Sequence, residues 1–261
     1  SCDPTCPKHR RPGTKDGETK MKNVLGRDVP GHPYLGFQPI KRIEYKQTKS
    51  DKEERKDKVH YDLESFIKTL PLKDNMTLSF HHHLRNGDFV MNLVMAEVVK
   101  SGVKNLTICA SSIFPIHAPL VSLIEQKTIT KIIASYISGP VADAISEGKL
   151  EDVCLLQTHG YRATSIMSEE TPIDIAFIAA PACSPEGNIT GSMGPSGCGV
   201  LGYAIADAWY AKRVVAVTDF LVDVLDPEIP SFCVDDIVKV ERIGDPNGIV
   251  SGTTKITRDP V

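Results

Sequence analysis

Residues 76–102 read MTLSFHHHLRNGDFVMNLVMAEVVKSG, and this stretch decides the fold. Met76 to Leu84 has the character of a short strand. Phe89 to Lys100 then places apolar side chains at Val90, Leu93, Val94 and Val98, the spacing of a helix with one buried face. Gly102 is suited to close that helix in a left-handed conformation. The next apolar run, Leu106 to Ala110, follows the helix directly. A strand reached through a crossover helix runs parallel to the one before it, so the stretch predicts a strand–helix–strand unit.

The same alternation continues in both directions. Asp62 caps a helix through Leu70, and the PLKDN turn leads into the first strand. Pro119 starts a helix to about Lys127, a strand follows from Ile129 to Ser135, and Pro140 opens a helix ending at Gly148. Further strands are expected at Val153 to Gln157, Ile173 to Ala179, Val214 to Thr218 and Ile237 to Val240. The expected class is α/β: a seven-stranded, mostly parallel sheet with helices on both faces, over residues 59–243.

Composition agrees and excludes several classes. The chain has 261 residues, 41% apolar and 24% charged, enough to bury a sizeable core. No window approaches the roughly 18 unbroken apolar residues of a membrane span. Aromatic residues make up 6% with one Trp, which argues against a binder built on stacked rings. Residues 1–58 carry 15 Lys or Arg against 9 Asp or Glu, a net +6; the remainder carries 15 against 24, a net −9. The expected folded part is therefore acidic, and no nucleic-acid or membrane partner is expected. The mixed-sign run KSDKEERKDK at 49–58 is read as a solvated helix or linker.

Residues 1–20 are polar and lack the apolar core of a signal peptide, so they are read as a non-native or processed leader. Residues 21–58 form a basic polar segment, and 244–261 a connecting tail. Seven cysteines, at 2, 6, 109, 154, 183, 198 and 233, show no paired framework and suggest reduced thiols in a cytoplasmic protein. Cys109 and Cys154 read as small buried hydrophobes.

In parallel α/β sheets ligands bind beyond the carboxyl ends of the strands. The residues found there are His81, His82 and His83 at the carboxyl end of the first strand, Arg85, Asn86, Gly87 and Asp88 after it, Ser111 and Ser112 after the second, and Gly139 after the third. His159 and Arg162 follow the fourth, and a glycine-rich stretch from Pro181 to Gly202 follows the fifth. Imidazoles beside a guanidinium suit carboxylates. Two histidines on one strand face could also hold a metal, but no third ligand is visible nearby and no metal is expected. Gly197, Gly199 and Gly202 spell GxGxxG, with Asp219 after the following strand as a ribose-binding acid. A dinucleotide-binding module therefore stays open, although the motif does not directly follow a strand. Glu186, in Pro-Glu-Gly-Asn, is either a base or nucleophile or part of a plain turn.

The string DIAFIAAPACSPEGN (174–188) resembles a signature of coenzyme A transferases. The wider set MTLSFHHHLRNGDFVMNLVM, NLTICASS, IHAPLV, SGPVADAISEG, THGYR, LGYAIADA and IVKVERIGDPNGIVSGTTKITRDP resembles the alpha-chain family of bacterial citrate lyase over about residues 61–260. The resemblance implies a coenzyme A transferase-like domain and an enzyme, a citrate CoA-transferase subunit of a multisubunit cytoplasmic complex with beta and gamma (acyl carrier) chains. Such a subunit exchanges acetyl for citrate on the carrier thioester, giving citryl-carrier and acetate. The thioester sits on a dephospho-CoA-derived prosthetic group of the carrier, and no cofactor is expected on this chain itself. The substrate-binding candidates are then His81, His82, His83, Arg85, Gly87, Ser111, Ser112, His159 and Arg162. Gly139, Asn188, Gly191, Gly197 and Gly199 are candidates for the carrier or its phosphate, and no catalytic residue is fixed. Family alpha chains are about twice this long, so 244–261 would lead toward a second domain and this half would be inactive or weak alone. A non-catalytic assembly domain docking the other chains is the remaining alternative.

Overall fold

The computed structural model describes residues 21–22, 26, 28–29, 57–81 and 83–249. The chain divides into two units, Ser1–Tyr45 and Lys46–Val261. In the first, β1 (Met21–Lys22) and β2 (Asp28–Val29) pair antiparallel. The expected leader, 1–20, lies outside the described residues.

In the second unit the strands are β3 (Val59–His60), β4 (Thr77–His81), β5 (Leu106–Ile113), β6 (Ile129–Ile137), β7 (Cys154–Leu156), β8 (Ile175–Ala180), β9 (Ala182–Cys183), β10 (Ile189–Thr190), β11 (Arg213–Thr218) and β12 (Asp236–Lys239). Eight of them form one sheet in the order β3-β12-β11-β8-β4-β5-β6-β7, and every ladder in it is parallel. The sequence led to seven strands. The eighth is β3, too short to show periodicity. β9 and β10 form a separate antiparallel ladder beside the sheet.

The helices are α1 (Leu63–Thr69), α2 (Val90–Val98), α3 (Leu120–Glu125), α4 (Pro140–Ser146), α5 (His159–Met167), α6 (Ala204–Tyr210) and α7 (Pro246–Ile249). Alternation along the strands divides the core into two layers. Leu78, Phe80, Phe177, Val215 and Val217 face α1 to α4 through Phe66, Val94, Leu120 and Val141. Ala176, Ile178, Ala180, Val214 and Ala216 face α5 and α6 through Ile166, Ala204 and Ala208. The run of alanines lets α6 approach the sheet closely. On α2 the buried stripe differs from the expected one: Met91 and Met95 are buried and Leu93 is 36% exposed. The expected strand at 153–157 is the edge strand β7, with Val153, Leu155 and Leu156 exposed and Cys154 half-buried.

Two features position the site. The chain leaves β4 toward β5, β6 and β7 on one side and returns at β8 on the other, so β4 and β8 flank the topological switch point. The described part of the expected tail packs into the domain: Asp245 N–H donates to the Gly87 carbonyl at 2.8 Å, and α7 lies on the short 3-10 turn Arg85–Gly87. No helix among the described residues is long and apolar enough to cross a membrane.

Candidate anion-binding site

A cavity of about 470 Å³ opens at the switch point, lined by His81, His83, Arg85, Ser111, Ser112, Phe114, Tyr136, His159 and Tyr203. Six of these are sequence candidates drawn from three strand ends. His82 lies outside the described residues. Arg85 follows β4 with φ +54, a left-handed turn uncommon for a residue with a side chain. It is exposed, and among the described residues it makes no ion pair. The His81 and His83 ring centroids are 5.1 Å apart, and His159 and Tyr203 lie 5.9 Å apart. Among the described residues no Asp or Glu lines the cavity.

Burial pushes the His83 imidazole below its ordinary value, and the nearby Arg85 and His159 side chains push the same way against Glu228. His83 therefore stands neutral at pH 7 and gains a proton more readily when an anion arrives. Among the described residues no group of three or more His, Cys, Asp or Glu side chains is arranged to hold a metal ion.

The aromatic wall was not foreseen. Phe114, the residue after β5, and Tyr136, on β6, have ring centroids 5.4 Å apart, and aromatic residues in or beside strands carry no signal that separates wall from core. Phe114 is held by polar clamps on the segment that follows. Asn86 Oδ1 accepts from Ile116 N–H at 3.0 Å and Asn92 Nδ2 donates to Ile116 O at 2.8 Å. Buried His117 accepts from Phe114 N–H through Nδ1 at 2.9 Å and pairs through Nε2 with Asp88 at 3.0 Å. Asp88 also caps the first turn of α2, accepting from Val90 and Met91 N–H.

Other candidates sit elsewhere. Arg162 was expected at a strand-end opening, but THGYR opens helix α5: Thr158 is the cap, its hydroxyl accepting from Tyr161 N–H at 3.1 Å. One turn in, Arg162 points into the core at 1% exposure. It donates to both carboxylate oxygens of Asp207 at 2.8 and 2.9 Å and to Ser79 Oγ at 2.8 Å, while Ser79 Oγ also bonds Asp207. It is spent in an internal pair and does not reach the cavity. Gly87 serves close packing: a Cβ there would lie 2.5 Å from Asp245 O, and its N–H donates to Leu84 O.

The carrier candidates likewise have structural partners. Gly139 opens α4 against Pro115. Asn188 Oδ1 accepts from Ser231 N–H at 2.9 Å. The amide of Gly191 donates to the Glu228 carboxylate, and those of Gly197 and Gly199 donate to the Gly194 and Gly191 carbonyls within the loop. The GxGxxG stretch leads into α6, but the strand before it is the two-residue β10 outside the main sheet. Asp219 accepts from Ser196 Oγ and Ile243 N–H, so the dinucleotide arrangement does not assemble. Glu186 sits exposed in the Ser184–Gly187 turn.

The sequence model of the family described as "Citrate lyase, alpha subunit (CitF)" matches residues 56–261. The citrate lyase alpha chain of Escherichia coli (strain K12) is 42% identical over 219 residues, 82% of this chain and 42% of that one. A solved structure of a citrate lyase alpha subunit from Streptococcus mutans in complex with citrate superposes with a TM-score of 0.74 at 44% identity, covering 78% of this chain and 40% of that one. An acyl-CoA transferase from E. coli O157:H7 in its thioester complex with CoA shares the fold, with a TM-score of 0.57 at 13% identity over 78% of this chain and 52% of that one. The chain thus spans about two-fifths of the length of the citrate lyase relatives it matches.

Proposed function

Since this chain belongs to the citrate lyase alpha subunit family, we propose that its switch-point cavity holds citrate for acyl exchange on a carrier thioester. The observation that carries this reading is the make-up of the cavity among the described residues: Arg85 without an ion pair, three imidazoles, two serine and two tyrosine hydroxyls, and no carboxylate. Such a lining favours a polyanion rich in carboxylates.

In the proposed reaction a citrate carboxylate oxygen attacks the acetyl thioester carbonyl. The C–S bond breaks, leaving a citryl–acetyl anhydride and the carrier thiolate. The thiolate then attacks the citryl carbonyl, the anhydride C–O bond breaks, and acetate leaves with that electron pair. Arg85 and the imidazoles hold the carboxylates that do not react, so the attacking one meets the thioester in a fixed orientation. Ser111 and Ser112, which line the cavity, are the proposed donors to charge that develops on a carbonyl oxygen. Carrier and beta chains are the proposed partners, the carrier bringing the thioester on its dephospho-CoA-derived arm, and this chain supplies the citrate-holding part of the site.

Calorimetric titration of the full chain tests the reading. Citrate binds, acetate at the same concentration does not, and Arg85→Gln weakens citrate at least about tenfold. Absence of citrate binding, or unchanged affinity in Arg85→Gln, overturns it. Acetyl-carrier:citrate exchange at the full rate by residues 1–261 alone would refute the division of the site.

A further inference from the structure

We propose that Glu228 is a positioning residue for this cavity, acting through the glycine-rich loop. This inference rests on the citrate reading above. Glu228 lies on the segment between β11 and β12 and does not line the cavity. One carboxylate oxygen accepts from Gly191 N–H at 3.0 Å and from Thr190 Oγ at 3.3 Å. The other accepts from Leu201 N–H at 2.6 Å. Glu228 therefore fastens both ends of the loop between β10 and α6.

Between those ends the loop closes on itself. Cys198 and Gly199 N–H both donate to the Gly191 carbonyl, at 2.9 and 3.1 Å, and a Cβ on Gly191 would lie 1.9 Å from Gly199 O. The closed loop leaves no slack, so the position of Leu201 is set by the carboxylate that holds its amide. Leu201 in turn meets the cavity. Its carbonyl lies 3.2 Å from His81 Nε2, and because a carbonyl only accepts, Nε2 is the nitrogen that carries the proton in this contact. Gly202 lies against the His83 ring, where a Cβ would be 3.4 Å from Nε2, and Tyr203 lines the wall. One carboxylate outside the cavity thus sets an imidazole tautomer, the seat of a second ring and an aromatic wall.

Charge and position predict opposite signs. Glu228 is a negative charge near His83, so if it acted only by charge, its removal would tighten binding of an anion. As a positioning residue, its removal weakens binding. Two variants of the full chain separate these. Glu228→Gln keeps size but turns an N–H₂ toward a backbone donor; Glu228→Asp keeps charge but is too short to span Gly191 and Leu201. Citrate affinity is expected to fall about tenfold in both, and the ¹⁵N resonance of His81 Nε2 to move in both. Tighter or unchanged citrate binding in Glu228→Gln, or wild-type behaviour of Glu228→Asp, overturns the proposal. Circular dichroism identifies a variant that fails to fold, and the other then decides. If the wild-type chain binds no citrate, the citrate reading fails, and an unmoved His81 signal in the variants refutes the positioning role separately.

Discussion

Replacing Arg162 by methionine is expected to destabilise the domain without touching citrate affinity. Arg162 and Asp207 are 1% and 0% exposed at their side chains, and the guanidinium makes two bonds to the carboxylate and one to Ser79. Burial pulls the Arg162 pKa down, but the adjacent Asp207 charge outweighs it and holds the guanidinium firmly protonated. Methionine approximates the volume and removes the charge, leaving Asp207 as a buried carboxylate with Ser79. Breaking one side of a buried pair costs about 3–5 kcal/mol. For a domain of this size about 4 kcal/mol lowers the melting temperature by about 8–16 °C. Replacing Asp207 by leucine as well removes the stranded charge and is expected to restore most of the loss, because well-packed apolar replacements of buried pairs are often near neutral. Thermal unfolding followed by circular dichroism measures the first effect. Citrate titration well below the transition measures the second, with the dissociation constant expected within about threefold of wild type, a change of under about 1 kcal/mol. An Arg162→Met chain that melts like wild type yet no longer binds citrate would refute the reasoning and return Arg162 to the cavity.

Two further outcomes are expected. Because burial, reinforced by Arg85 and His159, lowers the His83 pKa in the folded chain, the unfolded chain binds more protons as pH falls through the ordinary imidazole value of about 6.5. The stability of the unliganded chain should therefore fall with pH across that window. Citrate favours the protonated ring, so its affinity should rise from pH 7.5 to 6.5 by up to about tenfold per proton taken up, with binding heats that depend on the buffer; a heat independent of buffer counts against this. Gly191→Ala should disrupt the glycine-rich loop, since the new Cβ falls 1.9 Å from a backbone oxygen. Its melting temperature should drop by about 5 °C or more, and a variant as stable as wild type would show that the loop can relax.

Much of the fold was legible because it repeats. Asp62, Gly102, Pro140 and Gly148 mark helix ends where the structure has them, and the strand runs lie within a few residues of their expected places. What escaped was either too short or locally ambiguous. β3 has two residues, and THGYR reads only as residues beyond the end of a strand until Thr158 is recognised as a helix cap. The site was half legible for a related reason. Strand ends can be found from sequence, so His81, His83, Arg85, Ser111, Ser112 and His159 were available to it. Whether a polar residue beyond a strand end faces the opening depends on the helical phase that follows. One turn of α5 is enough to keep His159 at the cavity and send Arg162 into the core. Glu228 lay beyond reach because its partners are 27 to 38 residues away, across a segment with no periodicity.

The buried pair and the cavity are parts of one arrangement. Ser79 and His81 are two residues apart on β4 and therefore share a face of the sheet. Ser79 ties β4 to α5 and α6 through Arg162 and Asp207, and His81 ends the same strand at the cavity that His159, at the start of α5, and Tyr203, just before α6, also line. The ion pair thus joins both helices to β4 in the core, one strand step below the cavity floor. In an acidic domain a cation left at the surface would be drawn to nearby carboxylates. Arg162 has been neutralised inside, where it holds core elements together, while Arg85 remains at the rim without an ion-pair partner among the described residues, where an incoming polyanion can supply one.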